Sequence, residues 1–393
     1  MVENRGTSLN MKLFYLLVFF SFGSLFPLLG VYFKDTGLSG TEIGTLLSIS
    51  PVVMIFAQPL WGMITDYTQR PRGILACSLL LTSLLGFAVM YLNDYVWLIL
   101  LLIVFSFFQS AIVPVSDSIL LNYVHRTGKE YGNYRLYGAI GFAVSVLIVG
   151  KLSEAAGLQA IFFSFSGALL LTLFLVRAMP RENQRLQGNL RSGIKQLAKM
   201  PPFMLFLLSV FLVFGPIFAN NFYFGFYIQE IGGTLTGVGI AFLLSAGSEA
   251  PFMKFAGGAF RKWGIMPIMM FASFLSAARW TFYFFEPSLA VVMATTVVQG
   301  FSVGLFIPAA MEYLRNHTPS EARATAVALY TAIGNGVGSW FCTIIGGMLI
   351  DSYSIFATYL FFGIMSIAGF LILLVLHKMP QQKAAPSTII VSK

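Results

Sequence analysis

The chain has 393 residues, of which 57% are hydrophobic and only 10% are charged, and its formal net charge is +9. A soluble domain usually has about 25% charged residues, so this composition excludes an ordinary soluble protein and indicates a lipid bilayer. A net charge of +9 is by itself compatible with a nucleic-acid partner. Only the positions of the basic residues along the chain distinguish that partner from a membrane.

Apolar runs of about 20 residues can cross a bilayer as helices, and the sequence predicts twelve of them. In the first half they lie near 12–33, 42–64, 73–92, 96–124, 131–155 and 158–177, and in the second half near 203–228, 236–258, 265–285, 288–312, 325–349 and 354–376. The first run is too long for a typical signal peptide, so we expect no cleavage. The predicted fold class is therefore an all-α integral membrane protein with twelve transmembrane helices.

The longest polar segment divides the predicted spans into two sets of six. We expect an N-terminal six-helix bundle at 1–177, a cytoplasmic linker at 178–200, a C-terminal six-helix bundle at 201–379 and a cytoplasmic tail at 380–393. An even number of spans in each half implies that the halves are parallel repeats, related by an axis along the membrane normal.

Short sequence matches support the repeat. LYGAIG at 136–141 recurs as LYTAIG at 329–334. A glycine pair of the second span, Gly44 and Gly62, recurs in the eighth span as Gly239 and Gly257. These positions predict that the second and eighth spans are equivalent, as are the fifth and eleventh.

The 24 Lys and Arg residues are placed asymmetrically. Only Lys34 and Lys151 fall on the side opposite the termini, whereas the other loops carry Arg70, Arg72, Arg126, Lys129, Arg261, Lys262, Arg315 and Arg323. This bias is the positive-inside pattern, which predicts that both termini lie in the cytoplasm. We expect the protein to be in the inner (cytoplasmic) membrane of the cell. We therefore expect the basic charge to reflect topology, with the lipid bilayer and not nucleic acid as the partner.

Two charged residues lie at similar predicted depth on neighbouring antiparallel spans. Asp117 precedes the turn near Arg126 by as many residues as Arg135 follows it. A charge at mid-bilayer costs roughly 2.5–3.5 kcal/mol on insertion scales, so it normally faces a partner or a cavity. The sequence predicts an ion pair that either fixes helix packing or opens to bind a polar substrate.

The second half has its own charges within the spans. Glu249 and Lys254 are in the eighth span and Arg279 is in the ninth. Because Glu249 and Lys254 are five residues apart, Arg279 is the expected partner of Glu249, and Lys254 is expected at the interface. Neutral candidates for the cavity include Asn220 and Asn335, and Phe142 is a candidate apolar platform on the Arg135 span.

The segment 24–66, which ends in QPLWGMITD, and YGNYRLYGAIG at 131–141 resemble the lactose permease and oligosaccharide:proton symporter family. They also resemble the phenylpropionate permease-like group within the major facilitator superfamily. This resemblance implies the major facilitator fold with two six-helix bundles. It further implies sugar binding by Asp117 and Arg135, a link between substrate and proton at Glu249, and tuning of the proton site by Arg279.

GMITDYTQRPR at 62–72 resembles the loop signature of the same superfamily. The resemblance implies a cytoplasmic gate formed by Gly62, Asp66, Arg70 and Arg72, in which Asp66 bonds across the two bundles in only one state. Tyr67 and Gln69 depart from the signature.

Other departures bear on the substrate. Thr296, Gln299 and Ser302 stand where the lactose permease group has a Lys, His and Glu series, and Phe142 replaces its sugar-stacking tryptophan. We expect a monomeric, proton-coupled symporter of a sugar or a similar small polar solute. An aromatic acid or nucleoside symporter and a proton-antiport exporter stay open as alternatives.

A membrane enzyme is not expected. GFSVG at 300–304 matches a G-x-S-x-G pattern, but that motif needs a strand–turn–helix setting and a histidine base. Since the sequence has no metal-binding pattern of Cys and His, we expect neither a metal nor another cofactor.

Overall fold

The computed structural model describes residues 5–180, 190–319 and 322–379. These residues form helices joined by short turns, without a strand among them. The helices are α1 Arg5–Asp35, α2 Gly40–Thr68, α3 Pro71–Ala88, α4 Tyr95–Thr127, α5 Gly132–Ala156, α6 Ala160–Val176, α7 Leu190–Leu197, α8 Pro201–Glu230, α9 Leu235–Trp263, α10 Ile265–Phe284, α11 Leu289–His317, α12 Arg323–Thr331, α13 Ser339–Ser352 and α14 Ile355–Lys378.

The helix ends follow local capping chemistry. Asp94 precedes α4 and its Oδ1 accepts hydrogen bonds from Val96 N at 3.0 Å and Trp97 N at 3.1 Å, while Gly128 ends the helix at a φ of 68°. A side-chain acceptor satisfies N–H groups that have no partner within a helix, and glycine tolerates the left-handed ending. Short turns of this kind leave almost the whole chain for crossing the membrane.

Eleven helical stretches in the described part of the chain are long and apolar enough to span a bilayer. The remaining apolar helix of the predicted twelve is α6, with 17 residues. At 1.5 Å per residue it is about 26 Å long, close to the lower limit for a span. The predicted all-α membrane fold is confirmed, and the observed helices extend a few residues beyond most predicted spans.

The eleventh span differs from the single regular helix that the sequence predicts. Between α12 and α13 the chain makes a π-helical segment at Ala332–Gly338. A Cβ at Gly336 would lie 2.6 Å from Ile55 of α2, and a Cβ at Gly338 would lie 3.1 Å from Gly215 of α8. Glycines therefore let two helices approach this segment, and a π-bulge absorbs the local change in winding.

The helices fall into two groups that pack among themselves, α1–α6 and α8–α14. The short helix α7 lies in the predicted linker, of which residues 181–189 are outside the described residues, as is the predicted tail 380–393. We define the terminal side as the side where α1 begins and α14 ends, and the loop side as the opposite side. The groups are joined mainly by α5 with α9, α2 with α13, and α1 with α8.

The described contacts between the two groups lie on the loop side and near the middle of the helices. The rings of Phe26 in α1 and Phe222 in α8 are 6.4 Å apart, and a Cβ at Gly44 in α2 would lie 2.8 Å from Thr343 O in α13. Near the terminal ends of α2 and α9, no neighbouring helix comes within 4 Å of a Cβ position at Gly62 or Gly257. The molecule is thus closed on the loop side and separated on the terminal side.

Candidate substrate site

The predicted pair on α4 and α5 is present. Arg135 Nη1 lies 3.8 Å from Asp117 Oδ1, and the two side chains are 36% and 23% exposed, respectively. The prediction that the antiparallel helices bring these charges to the same depth is confirmed. The distance is at the long end for an ion pair, and Arg135 Nη1 has no hydrogen-bond partner among the described residues. Both groups therefore retain capacity to bind a polar ligand.

Helix α1 supplies aromatic residues to this pair that the sequence analysis missed. Tyr15 OH donates a 2.5 Å hydrogen bond to Asp117 Oδ1. The Arg135 guanidinium lies 4.6 Å from the Phe19 ring centroid and 5.9 Å from that of Tyr15. Attraction between the guanidinium and these aromatic faces stabilises the position of Arg135 in addition to its ion pair with Asp117.

A signal for this arrangement exists in the sequence of α5. A Cβ at Gly138 would lie 2.8 Å from Phe19, and a Cβ at Gly141 would overlap Leu16 O. The two glycines mark the face of α5 on which α1 packs, and aromatic residues four apart on α1 then reach Arg135. The sequence itself does not say which helix lies on that face.

Phe142, the candidate platform, lies at the junction of the two helix groups. Its ring packs edge-on against Phe242 of α9, with centroids 6.1 Å apart. In this conformation the half-buried ring joins α5 to α9, so its predicted contact with substrate stays a prediction.

The predicted pairing of Glu249 with Arg279 is wrong for this structure. Arg279 is 4% exposed and donates hydrogen bonds to Gln299 Oε1 at 2.7 Å and to Tyr283 OH at 3.1 Å. Its guanidinium also lies 4.5 Å from the Trp280 ring centroid. A neutral amide oxygen and aromatic faces thus stabilise the arginine, and no ion pair links it to Glu249 in the described residues.

The same network includes Asn220 of α8, which is fully buried. Its Nδ2 donates to Gln299 Oε1 at 3.3 Å, and its Oδ1 accepts from Tyr359 OH at 2.8 Å. Asn220 therefore ties α8 to α11 and α14. By contrast, Asn335 is exposed in the π-helical segment, and no described contact joins it to Asn220.

Glu249 is half-buried on α9 where that helix lies against α11. A Cβ at Gly300 would lie 2.9 Å from Glu249 N, and one at Gly304 would lie 2.7 Å from Glu249 O. The glycines of α11 fix the backbone of Glu249 closely. Lys254 is exposed, and its interfacial position stays a prediction.

The residues of the predicted gate lie on the open terminal side. Gly62, Asp66 and Arg70 are exposed, and no described hydrogen bond or ion pair involves the Asp66 carboxylate. Arg72 Nε donates to Pro180 O at 3.2 Å, which anchors the start of the linker. No described residue makes the gate contact predicted for Asp66 in this conformation, and its gating role stays a prediction.

Two groups of helices that close against each other on the loop side, with a partly exposed charged pair on α4 and α5 of the first group, define a multi-pass membrane transporter of the major facilitator fold. The chain belongs to the MFS_1 like family, whose model matches residues 8–361. The resemblance found in the sequence is confirmed. Ser302 of the GFSVG sequence is buried within α11, so it does not have the strand–turn–helix setting of a catalytic serine. The protein is a transporter and not an enzyme.

Related sequences agree with this family, and a solved structure shares the fold. The chain is 49% identical over 368 residues to the maltose permease of Geobacillus stearothermophilus, covering 93% of each protein. It is 27% identical over 351 residues to the probable 3-phenylpropionic acid transporter of Escherichia coli, covering 85% of this chain and 89% of that protein. The crystal structure of the nucleoside transporter NupG superposes with a TM-score of 0.85 at 16% identity, covering 96% of this chain and 100% of that one, which is a likeness of fold alone.

Proposed function

We propose that the protein is a proton-coupled symporter that takes up a sugar, with maltose or a related disaccharide as its substrate. The observation that carries the proposal is the partly exposed Asp117–Arg135 pair, bordered by Tyr15 and Phe19. A sugar hydroxyl both donates and accepts hydrogen bonds, so it can donate to the carboxylate while it accepts from the guanidinium. Its apolar ring face can lie on an aromatic side chain.

The identity of the relatives favours a sugar within the open classes. The 49% identity to a maltose permease covers nearly the whole of both chains, whereas the identity to the phenylpropionic acid transporter is 27%. An aromatic acid or nucleoside has fewer hydroxyl groups for two opposite charges to bind. We therefore place the disaccharide first, and the other two classes are outcomes of the substrate screen.

The orientation in the membrane is part of the proposal. The positive-inside bias assigns the terminal side to the cytoplasm, so the described conformation is open to the cytoplasm and closed to the exterior. A transporter that works by alternating access must also adopt the opposite state, in which the two bundles separate on the loop side. The single binding site would then be exposed to each side in turn.

Purified protein in liposomes tests the proposal. We expect an inward pH gradient, acidic outside, to drive accumulation of labelled maltose, and a protonophore to abolish it. Asp117→Asn is the matched loss-of-binding variant, and Glu130→Gln, an exposed acid in the loop after α4, is the control. Accumulation of a nucleoside or an aromatic acid instead of any sugar would contradict the sugar assignment, and proton-driven export would contradict uptake.

A further inference from the structure

A carboxylate at the loop-side end of α5 binds the beginning of α9. Glu154 Oε1 accepts a hydrogen bond from Thr236 N at 2.7 Å, and its Oε2 accepts one from Thr236 Oγ1 at 2.6 Å. Glu154 belongs to the first helix group and Thr236 to the second. The contact therefore crosses between the two bundles.

An equivalent contact joins the end of α13 to the beginning of α2. Asp351 Oδ1 accepts from Gly40 N at 2.6 Å, and Oδ2 accepts from Thr41 N at 2.7 Å. Here the carboxylate belongs to the second helix group and the helix beginning to the first. We call these two contacts the loop-side caps: Glu154 on Thr236, and Asp351 on Gly40 and Thr41.

The two loop-side caps have the same spacing of glycine and carboxylate, at equivalent positions of the internal repeat. Each carboxylate stands four residues after a glycine, in GKLSE at 150–154 and in GMLID at 347–351. A Cβ at Gly150 would lie 2.6 Å from Leu235 O, and a Cβ at Gly347 would overlap Gly40 O. The glycine brings the helices into contact, and one turn later the carboxylate meets the N–H groups of the other bundle.

The chemistry of a helix beginning explains why a carboxylate is suited to this position. The first N–H groups of a helix lack partners within it, and the helix dipole favours a negative charge there. Ser39 and Thr234 each satisfy one such group of their own helix, Glu42 N at 3.3 Å and Gly237 N at 3.0 Å. The N–H groups of Gly40, Thr41 and Thr236 donate instead to carboxylates of the opposite bundle.

We propose that Glu154 and Asp351 act together as positioning residues that hold the transporter closed on its loop side. This inference deepens the proposed function, because it assigns a device that sets the balance between the two states of that alternating-access cycle. Separation of the bundles on the loop side breaks both caps at once, since each links one bundle to the other.

The exposure of the loop-side caps fits a reversible closure. Glu154 and Asp351 are both exposed, so water can replace the lost hydrogen bonds when the side opens. Each cap then contributes modestly, and its removal changes the ratio of closed to open forms about two- to fivefold. Lys34 and Glu230, with Nζ and Oε2 3.5 Å apart, form a further exposed contact between the bundles on the same side.

Pulsed electron spin resonance distances across the loop side test this role without any transport assay. Spin labels on Tyr91→Cys and Phe285→Cys, both exposed and one in each bundle, would report separation in a background of Cys77→Ser and Cys342→Ala. We expect Glu154→Ala and Asp351→Ala each to increase the longer-distance population about two- to fivefold, and the double variant to multiply the two effects. Glu154→Gln with Asp351→Asn gives the same test with less change in shape.

Matched variants separate the role from general effects of losing a carboxylate. Asp94→Ala removes a carboxylate cap on the same side, but that cap lies within one bundle, so the distance distribution should stay unchanged. Glu154→Asp with Asp351→Glu keeps both charges and should restore the closed population. Unchanged distances in the double Ala and double amide variants, or an equal shift in Asp94→Ala, would overturn the inference. Failure to transport any sugar would count against the proposed substrate and leave this measurement valid.

Discussion

Tyr15 donates its hydroxyl hydrogen to Asp117 Oδ1 across 2.5 Å, which is shorter than the 3.8 Å between that oxygen and Arg135 Nη1. Asp117, which the sequence pairs with Arg135, is therefore oriented mainly by the Tyr15 hydroxyl of α1. Because Tyr15 is only 1% exposed, its ring is fixed and its hydroxyl has a defined position. The Arg135 guanidinium, whose Nη1 has no hydrogen-bond partner among the described residues, is then available for a ligand.

Tyr15→Phe should weaken substrate binding at least about tenfold, because a hydrogen bond to a charged group is worth about 1.5–3 kcal/mol and orients Asp117. Calorimetric titration of the purified protein with its substrate measures this effect. Tyr134→Phe is a suitable control, since that buried hydroxyl bonds to Ser8 at 2.9 Å and not to Asp117. Equal affinity in wild type and Tyr15→Phe would show that the phenol does not position the binding carboxylate.

Asp117→Asn and Arg135→Gln should each abolish measurable substrate binding while the protein still inserts and stays monodisperse. Loss of one partner of a fully buried ion pair typically costs about 3–5 kcal/mol, but this pair is partly exposed, so we expect a smaller loss of stability. Ligand binding and thermal unfolding of the same preparations measure the two effects separately. Wild-type affinity in either variant would indicate that the pair only fixes helix packing.

The helices and the first charged pair were predictable because hydropathy and antiparallel connection determine which residues share a depth. Glu249 and Arg279 were mispaired because depth does not determine the rotation of a helix about its axis. Rotation places the Arg279 guanidinium beside Gln299 and Tyr283, where neutral acceptors and aromatic faces replace the expected acid. A single sequence carries little information on such neutral partners.

The loop-side caps were missed for a related reason. Glu154 and Asp351 lie at the ends of spans, where an acid is ordinary on a solvated surface. Their partners are backbone N–H groups, which have no signature of their own in the sequence. The repeated glycines Gly44 and Gly239 were recognised, yet only the structure shows that both lie where the two bundles touch.

Asp66→Asn should slow turnover severalfold and leave substrate affinity nearly unchanged. In the described conformation Asp66 is exposed on the open terminal side, so its loss removes nothing from this state. A contact across the bundles exists only when that side closes, and the variant destabilises the closed form. Initial rates in liposomes, compared with equilibrium binding, separate the two parameters, and Glu130→Gln serves as a control on the same side. A loss of affinity with an unchanged rate would contradict a gating role.

The last prediction concerns proton coupling at Glu249. This carboxylate is half-buried inside a span, its backbone is held against Gly300 and Gly304, and no described ion pair neutralises it. An ionised carboxylate is costly in an apolar setting, so conformational exchange is easier when a proton neutralises the group. Arg279, held by Gln299, does not provide a permanent counter-ion.

Glu249→Gln mimics the protonated side chain permanently, so the variant should exchange substrate across the membrane but fail to accumulate it in response to a pH gradient. Counterflow of labelled substrate measures exchange, and uptake under an imposed gradient measures coupling in the same liposomes. Glu312→Gln is the control, because Glu312 bonds to Arg315 at the terminal end of α11 and lies outside the candidate site. Gradient-driven accumulation that persists in Glu249→Gln would exclude Glu249 as the proton carrier and make Asp117 the next residue to test, since it is the other acid of the candidate site.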